Sequence, residues 1–112
     1  MLDPQARALI DLMIERGVPP VHTLSPADAR RFYRERRTFT QPEAPAVGQV
    51  EARTVAGPHG QIALRLYRPF MTSDPTPALV YFHGGGWTIG DLDTHDVLCR
   101  QLCLGAGITV AS

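Results

Sequence analysis

The sequence contains no lysine, and this absence is its first constraint on function. All eleven basic residues are arginines, and eleven acidic residues balance them to a net charge of zero. A phosphate-binding P-loop needs a lysine after its glycines, so that class of nucleotide site is excluded. The balanced charge gives no support to a nucleic-acid partner or to another strongly anionic partner.

Cysteines and long apolar runs are scarce as well. The two cysteines, Cys99 and Cys103, lie four residues apart on a predicted helix, which suits a buried structural role better than a mutual disulfide. No apolar run approaches the ~20 residues of a membrane span. The N-terminus carries Asp3 and lacks the basic and apolar regions of a signal peptide. We therefore expect a soluble, cytoplasmic protein with no membrane span.

Residues 1–40 are predicted to form two helices. Asp3-Pro4 and Ser25-Pro26 are typical helix starts, and Gly17 is typical of a helix end. Five arginines between positions 30 and 37 cover most of the second helix. We interpret them as a solvated face, with an anionic surface or a partner subunit as the alternative contact.

After a proline-rich linker at 41–45 the apolar period changes from that of a helix to two, which is typical of strands. The predicted elements are strands at 47–55 and 62–68 around a turn at 57–60, a strand at 78–82, a helix capped by Asp93, and a strand beginning at Ile108. The run at 78–82 is continuous and apolar, as expected of a strand buried on both faces. This order predicts an α/β fold with a crossover helix.

The most informative motif follows that apolar run and reads His83-Gly84-Gly85-Gly86-Trp87. Consecutive glycines leave backbone N–H groups open to close approach, because no Cβ shields them. Such N–H groups can hold the negative oxygen of an acyl-transfer intermediate. A plain turn does not need three glycines between two large rings. We therefore interpret the motif as an oxyanion-binding loop.

Together with Ile89-Gly90-Asp91 and Thr94-His95-Asp96, the motif resembles the hormone-sensitive-lipase-like family of α/β-hydrolases. The resemblance extends along the whole chain in order. It implies an α/β fold comprising the N-terminal part of an α/β-hydrolase sheet, with an antiparallel hairpin followed by strand, glycine loop, helix and strand. It also implies two units, a helical cap segment at 1–40 and an incomplete core at 41–112.

The same resemblance implies a carboxylic ester hydrolase of the esterase or lipase type that works through a serine acyl-enzyme. Gly85 and Gly86 would offer N–H groups to the oxyanion, while His83 and Gly84 would shape the loop, and His83 would not be the catalytic base. The expected substrates are small carboxylic esters with short to medium acyl chains. The resemblance implies no metal and no organic cofactor.

The nucleophile of this family is a serine in a G-x-S-x-G turn, followed later by an acid and a histidine. The three serines here, Ser25, Ser73 and Ser112, all lack that turn. We therefore expect this chain to be a portion of a longer hydrolase or a relic of one, to be inactive alone, and to self-associate through the open edge of its strand at 78–82. The alternative is a non-catalytic hydrolase relic, or a ligand-binding or interaction module on the same scaffold.

The same region contains elements of two other kinds of site, a dinucleotide-binding loop and a metal site. Gly84, Gly86 and Gly90 follow a strand as in a dinucleotide-binding loop, but Trp87 crowds that loop and the helix begins several residues later. Acids and a histidine that could ligate a metal follow the loop, at Asp91, Asp93, His95 and Asp96. We interpret these acids as residues of a helix N-terminus, where negative charge favours the helix dipole.

Overall fold

The computed structural model describes residues 2–71 and 75–112, which form a mixed sheet flanked by helices. The elements are, in chain order, α1 (Pro4–Glu15), α2 (Pro26–Thr40), β1 (Gln49–Gly57), β2 (Gly60–Arg68), β3 (Ala78–Val80), α3 (Asp96–Ala106) and β4 (Thr109–Ala111), with a short 3-10 turn at Val21–Thr23. The predicted α/β class is confirmed. In the described part of the chain no helix is both long and apolar enough to cross a membrane.

Both predicted starts of the N-terminal helices are confirmed. Asp3 Oδ1 accepts a hydrogen bond from Gln5 N at 2.8 Å, and Ser25 Oγ accepts one from Asp28 N at 3.2 Å. These side chains satisfy N–H groups that have no partner inside the helix. Gly17, at φ +61°, follows α1 in the left-handed conformation that glycine adopts readily. That residues 1–40 act as a cap stays a prediction.

The hairpin is confirmed, with β1 shifted by two residues at both ends and β2 beginning two residues earlier than predicted. β1 and β2 pair antiparallel from Gln49↔Arg68 to Gly57↔Gly60, so only Pro58 and His59 form the turn. Gly60 has φ +131°, which a residue with a side chain rarely adopts. The two glycines that bound the turn therefore set the register of the whole hairpin.

The four-stranded sheet has the order β1-β2-β4-β3. β4 pairs antiparallel with β2 through Leu66↔Ala111 and parallel with β3 through Leu79↔Val110. The chain leaves β3, crosses through α3 and returns as β4 on the inner side of β3. The carboxyl ends of β3 and β4 consequently lie at the same edge of the sheet, and the glycine motif begins there.

The core lies between α3 and the strands β2 and β4. Tyr67, Cys99, Cys103 and Val110 are all fully buried there. The structural role predicted for the two cysteines is confirmed, since both are free and enclosed. Burying a large apolar side chain contributes about 1.5–3 kcal/mol to the free energy of folding, so this cluster is the main apolar contact between α3 and the sheet.

The prediction that residues 78–82 are buried on both faces is wrong for this chain. Only Ala78–Val80 form β3, and Val80 and Phe82 are 61% and 86% exposed. β3 is an edge strand, because β4 is its only strand neighbour among the described residues. Its apolar pattern is that of a central strand, whereas its surroundings here are those of an edge.

Candidate functional site

The glycine motif leaves the sheet at the carboxyl end of β3. Tyr81 N donates to Ala111 O at 2.8 Å and extends the pairing with β4 by one residue. The chain then turns away through Phe82 and His83 into the glycines. In open α/β sheets, ligands bind in the crevice outside the carboxyl ends of the strands. The motif therefore lies where this fold class places its sites.

Three consecutive residues of the loop have positive φ: Gly85 at +137°, Gly86 at +59° and Trp87 at +57°. A Cβ built at Gly85 would overlap the carbonyl oxygen of Ile89, so glycine is required there on both conformational and steric grounds. Gly86 has open space around it but a left-handed backbone. Gly84 has open space and no positive φ, so its Cβ would be tolerated.

The carbonyl groups of Gly85 and Gly86 accept hydrogen bonds from residues of the same loop. Gly85 O accepts from Thr88 N at 3.1 Å and from Ile89 N at 3.0 Å, and Gly86 O accepts from Thr88 Oγ1 at 3.2 Å. Within the part of the chain that the structure describes, the N–H groups of Gly85 and Gly86 donate to nothing. They remain available to an acceptor, beside a shallow cavity of about 260 Å³ lined by residues 83–87 and Ile89.

His83 lies at the entrance of the loop and supports it. Its Nδ1 is 2.9 Å from Gly84 O, a distance at which Nδ1 must carry the proton because a carbonyl oxygen only accepts. Its ring stacks on His95 with 5.2 Å between centroids. A Cβ at Gly90 would lie 2.8 Å from His83 Nδ1, so Gly90 is needed for the ring to take this place.

The described serines, Ser25 and Ser112, serve structural roles. Ser25 Oγ donates to Asp28 Oδ2 at 2.7 Å in the N-cap of α2. Ser112 pairs its backbone with Arg65 on β2, and its buried hydroxyl lies beside the Cys99 thiol. Ser73 lies outside the described residues. Neither described serine hydroxyl is hydrogen-bonded to a histidine.

The acids after the loop are paired with arginines. Asp91 forms an ion pair with Arg34, and its Oδ1 accepts from Thr94 N at 2.8 Å. Burial alone would raise the pKa of Asp91, but the hydrogen bonds from Arg34 and Thr94 outweigh it and hold the pKa below its ordinary value. The residues described contain no cluster of three acid, histidine or cysteine side chains that could hold a metal.

Asp96 is the centre of a second charged cluster, under the start of α3. It accepts from Arg65 at 3.1 Å, from Tyr67 Oη at 2.9 Å and from Arg100 at 2.6 Å. Burial opposes ionisation of Asp96, yet these donors lower its pKa. Burial also raises the pKa of Tyr67, so the phenol stays protonated and keeps donating. The cluster ties β2 to α3.

The predicted cap of α3 is wrong by two residues. The helix begins at Asp96, and its N-cap position is His95, not Asp93. Thr94 and Asp91 instead close a local turn, in which Asp91 N donates to Thr94 Oγ1 at 2.8 Å. Asp93 turns its carboxylate toward Arg65 at 2.8 Å. Sequence spacing alone did not distinguish these acids, because each is a good capping residue.

Sequence reasoning missed the contacts that α2 makes with this region. Arg30 Nε donates to Thr88 O at 2.7 Å, Arg34 Nε donates to Asp91, and Arg37 Nη1 donates to Asp93 O at 2.7 Å. Arg30, Arg34 and Arg37 remain exposed, as expected of a solvated face, but each also donates to an acceptor in this segment. The contacts join residues 56 to 58 positions apart, and no local signal marks such a pairing.

Comparison with known proteins gives one consistent result. The family described as "alpha/beta hydrolase fold" matches residues 79–112. Carboxylesterase NlhH of Mycobacterium tuberculosis is 38% identical over 115 residues, covering 99% of this chain and 34% of the relative. Carboxylic ester hydrolase LipN of the same species is 56% identical over 59 residues, covering 53% of this chain and 15% of the relative.

A solved structure agrees with these sequence matches. The ester hydrolase EH1AB1 from the metagenome of Lake Arreo superposes with a TM-score of 0.90 at 37% identity, covering 100% of this chain and 37% of that one. The likeness includes α1 and α2 as well as the sheet, because the whole chain is covered. The chain spans about a third of the length of the curated relatives that it matches end to end.

Proposed function

The chain belongs to the hormone-sensitive-lipase-like family of α/β-hydrolases, and from that premise we propose that it carries the oxyanion-binding loop of a carboxylic ester hydrolase. The observation that supports this role is the pair of unengaged N–H groups at Gly85 and Gly86 within the described chain. At Gly85 the loop has a backbone conformation that only glycine adopts freely. His83 and Gly84 shape the entrance of that loop.

The mechanism we propose is covalent. A serine hydroxyl attacks the ester carbonyl carbon, a histidine accepts the hydroxyl proton, and an acid orients that histidine. As the carbon becomes tetrahedral its oxygen gains negative charge, and the Gly85 and Gly86 N–H groups stabilise that charge. Of these parts, this chain supplies the last. The serine, histidine and acid would come from further residues of a longer protein.

The described residues do not offer a substitute nucleophile. Ser25 caps a helix and Ser112 follows the end of β4, and neither hydroxyl is hydrogen-bonded to a histidine within the described chain. A catalytic base must lie within hydrogen-bond reach of the hydroxyl that it activates. We therefore propose that the 112-residue chain alone does not turn over esters.

A second candidate is a non-catalytic module on the same scaffold. The observation in its favour is that the acids of the site are already engaged, Asp91 by Arg34 and Asp96 by Arg65 and Arg100. Such an arrangement maintains a fold whether or not a reaction takes place. The two candidates differ in what happens when the remaining two thirds of a hydrolase is supplied.

A chimera separates them. In it, residues 1–112 replace the matching third of carboxylesterase NlhH, and hydrolysis of p-nitrophenyl acetate is followed beside the unaltered relative and the 112-residue chain. We expect turnover by the chimera and none by the chain alone. Turnover by the chain that Ser25→Ala or Ser112→Ala abolishes would contradict the proposal. A folded chimera without activity would favour the non-catalytic module.

Three further properties are part of the proposal. The substrates would be small carboxylic esters with short to medium acyl chains, and the protein would be cytoplasmic. The chain would self-associate through β3, whose edge within the described residues is unpaired and whose side chains Val80 and Phe82 are exposed. An open apolar edge strand is a template for pairing with another chain.

A further inference from the structure

Side chains along one face of α2 donate hydrogen bonds to the segment after the glycine loop, with one contact for each helical turn. The donors are Arg30, Arg34, Arg37 and Gln41, and their respective acceptors are Thr88 O, the Asp91 carboxylate, Asp93 O and Thr94 O. The donors are spaced by four, three and four residues, which places them on one face of a helix. The acceptors are met in the same order along the chain.

The acceptor segment in turn holds the loop. Thr88, whose carbonyl oxygen Arg30 binds, donates its own N–H to Gly85 O at 3.1 Å. Ile89 donates to the same oxygen at 3.0 Å, and its carbonyl lies where a Gly85 Cβ would be. The peptide that carries the Gly86 N–H therefore has its carbonyl end fixed by residues that α2 contacts.

A second connection reaches the loop from its other end. Arg34 binds Asp91, and Thr94 closes a turn with Asp91 while its hydroxyl lies 3.1 Å from His95 Nδ1. Thr94 is 2% exposed, so this turn is enclosed. His95 stacks on His83 at the entrance of the loop. Both ends of the glycine loop are thus linked to α2 through short chains of contacts.

We propose that Arg30, Arg34 and Arg37 are positioning residues that fix the orientation of the Gly85 and Gly86 N–H groups, a role that rests on the proposed oxyanion function of those groups. Arginine suits this role because its guanidinium is always charged and its rigid fork of donors can engage a carbonyl or a carboxylate directionally. On this proposal α2 is part of the structure that holds the loop in place.

The same helix supplies matched controls. Among the described residues, the Arg31 side chain forms its ion pairs within its own helix, with Asp28 at 2.8 Å and Glu35 at 4.0 Å. Arg36 lies over the ring of Tyr33, with its guanidinium carbon 5.2 Å from the centroid. Replacing either removes the same charge from α2 without removing a contact to residues 88–94.

The experiment measures amide hydrogen exchange by mass spectrometry on the full 112-residue chain and its variants. Peptides covering 82–91 report on the loop through the hydrogen-bonded amides of Thr88, Ile89 and Asp91, and peptides covering 96–106 report on α3. Arg34→Gln should speed exchange at 82–91 about two- to fivefold, the effect of losing one exposed ion pair. Exchange at 96–106 should stay unchanged. Arg34→Lys should recover part of the protection, and Arg31→Gln should leave the loop as it was.

Combined replacement of Arg30, Arg34 and Arg37 by Gln should speed loop exchange about tenfold or more, since contacts to separate acceptors add. Equal acceleration at 82–91 and 96–106 would mean a general loss of structure and would overturn the proposal. So would an equal effect of Arg31→Gln, or a loop that already exchanges at its unprotected rate in the unaltered chain. Because the readout is exchange and not turnover, an inactive NlhH chimera would contradict the proposed function and leave this inference standing.

Discussion

Gly85 and Gly84 are adjacent, chemically identical and expected to respond in opposite ways to alanine. At Gly85 a Cβ would overlap the backbone carbonyl oxygen of Ile89, and φ is +137°. At Gly84 a Cβ meets nothing within 4 Å among the described residues, and φ is not positive. One substitution forces the loop to move, whereas the other fits the loop as it stands.

The magnitude follows from what the move destroys. A strained backbone costs on the order of 1–3 kcal/mol, and the overlap at Gly85 involves backbone that no rotamer change can relieve. The loop would relax by turning the N–H groups away from the oxyanion position. Losing one such donor typically lowers kcat ~10²–10³-fold. Gly86→Ala, left-handed but unhindered, should cost only roughly 1–2 kcal/mol of stability.

The assay is hydrolysis of p-nitrophenyl acetate by the NlhH chimera, with kcat and KM measured separately. We expect Gly85→Ala to lower kcat about a hundredfold or more with little change in KM, because an oxyanion exists only in the transition state. Gly84→Ala should leave kcat nearly unchanged. An equal loss in both variants, or a folded Gly85→Ala variant with full kcat, would refute the assignment of the loop.

Three further predictions concern the chain itself. The pKa of Asp96 is lowered, so its ion pairs stabilise the fold at pH values above its ordinary pKa of 3.8, and this stabilisation is lost as the pH falls through the lower pKa of the folded state. Asp96→Asn should destabilise the fold by ~1.5–3 kcal/mol at pH 7 and flatten the acid limb of an unfolding curve. Cys99 and Cys103 should react with a disulfide reagent only after the fold opens locally, because both thiols are buried and burial raises the pKa of each. Rapid labelling of the folded chain would contradict their packing. Val80→Arg on β3 should reduce self-association in sedimentation experiments more than Ile14→Arg on α1 does, since Ile14 is similarly exposed but lies off the sheet; equal effects would point to general solubility instead.

Local signals in the sequence predicted most of the secondary structure. Asp3 and Ser25 were identified as caps because a side-chain oxygen before a proline-led helix has one obvious use, and both caps form. The hairpin was predicted from Gly57-Pro58-His59-Gly60, a run of turn-forming residues between two segments of period two. Each of these features is determined within a few residues of chain.

Features that depend on the rest of the molecule were predicted less well. The open edge expected for the strand at 78–82 is observed among the described residues, but the expected burial on both faces is not, because burial depends on neighbours that the pattern does not itself supply. The start of α3 was misplaced because Asp91, Asp93 and Asp96 could each serve a helix N-terminus. Which acid does so depends on Arg34 and Arg65, which come from α2 and β2.

The site was predicted as a motif but not as a supported structure. Residues 83–86 were identified as the loop from glycine content and family resemblance, and their role stays a prediction. Arg30, Arg34 and Arg37 keep the exposure expected of a basic helix face, but their contacts with residues 88–94 were not predicted. The acceptors of Arg30 and Arg37 are backbone carbonyl groups, which carry no sequence signature. Arg34 and Asp91 form a side-chain ion pair, and these partners are 57 residues apart.

The contacts that hold the loop lie within this chain, whereas the charge that the loop would stabilise arises only when a nucleophile attacks. Gly85 O is bound by Thr88 and Ile89, and the segment that contains them is bound by α2. Donors fixed before the reaction need no reorganisation during it, which is why such groups contribute so much to rate. The share of the oxyanion hole that the glycine loop would supply is therefore held by contacts within about a third of a hydrolase, and the residue after the nucleophilic serine would supply the remaining N–H group. The same division explains why a chain with a well-formed loop is expected to show no turnover of its own.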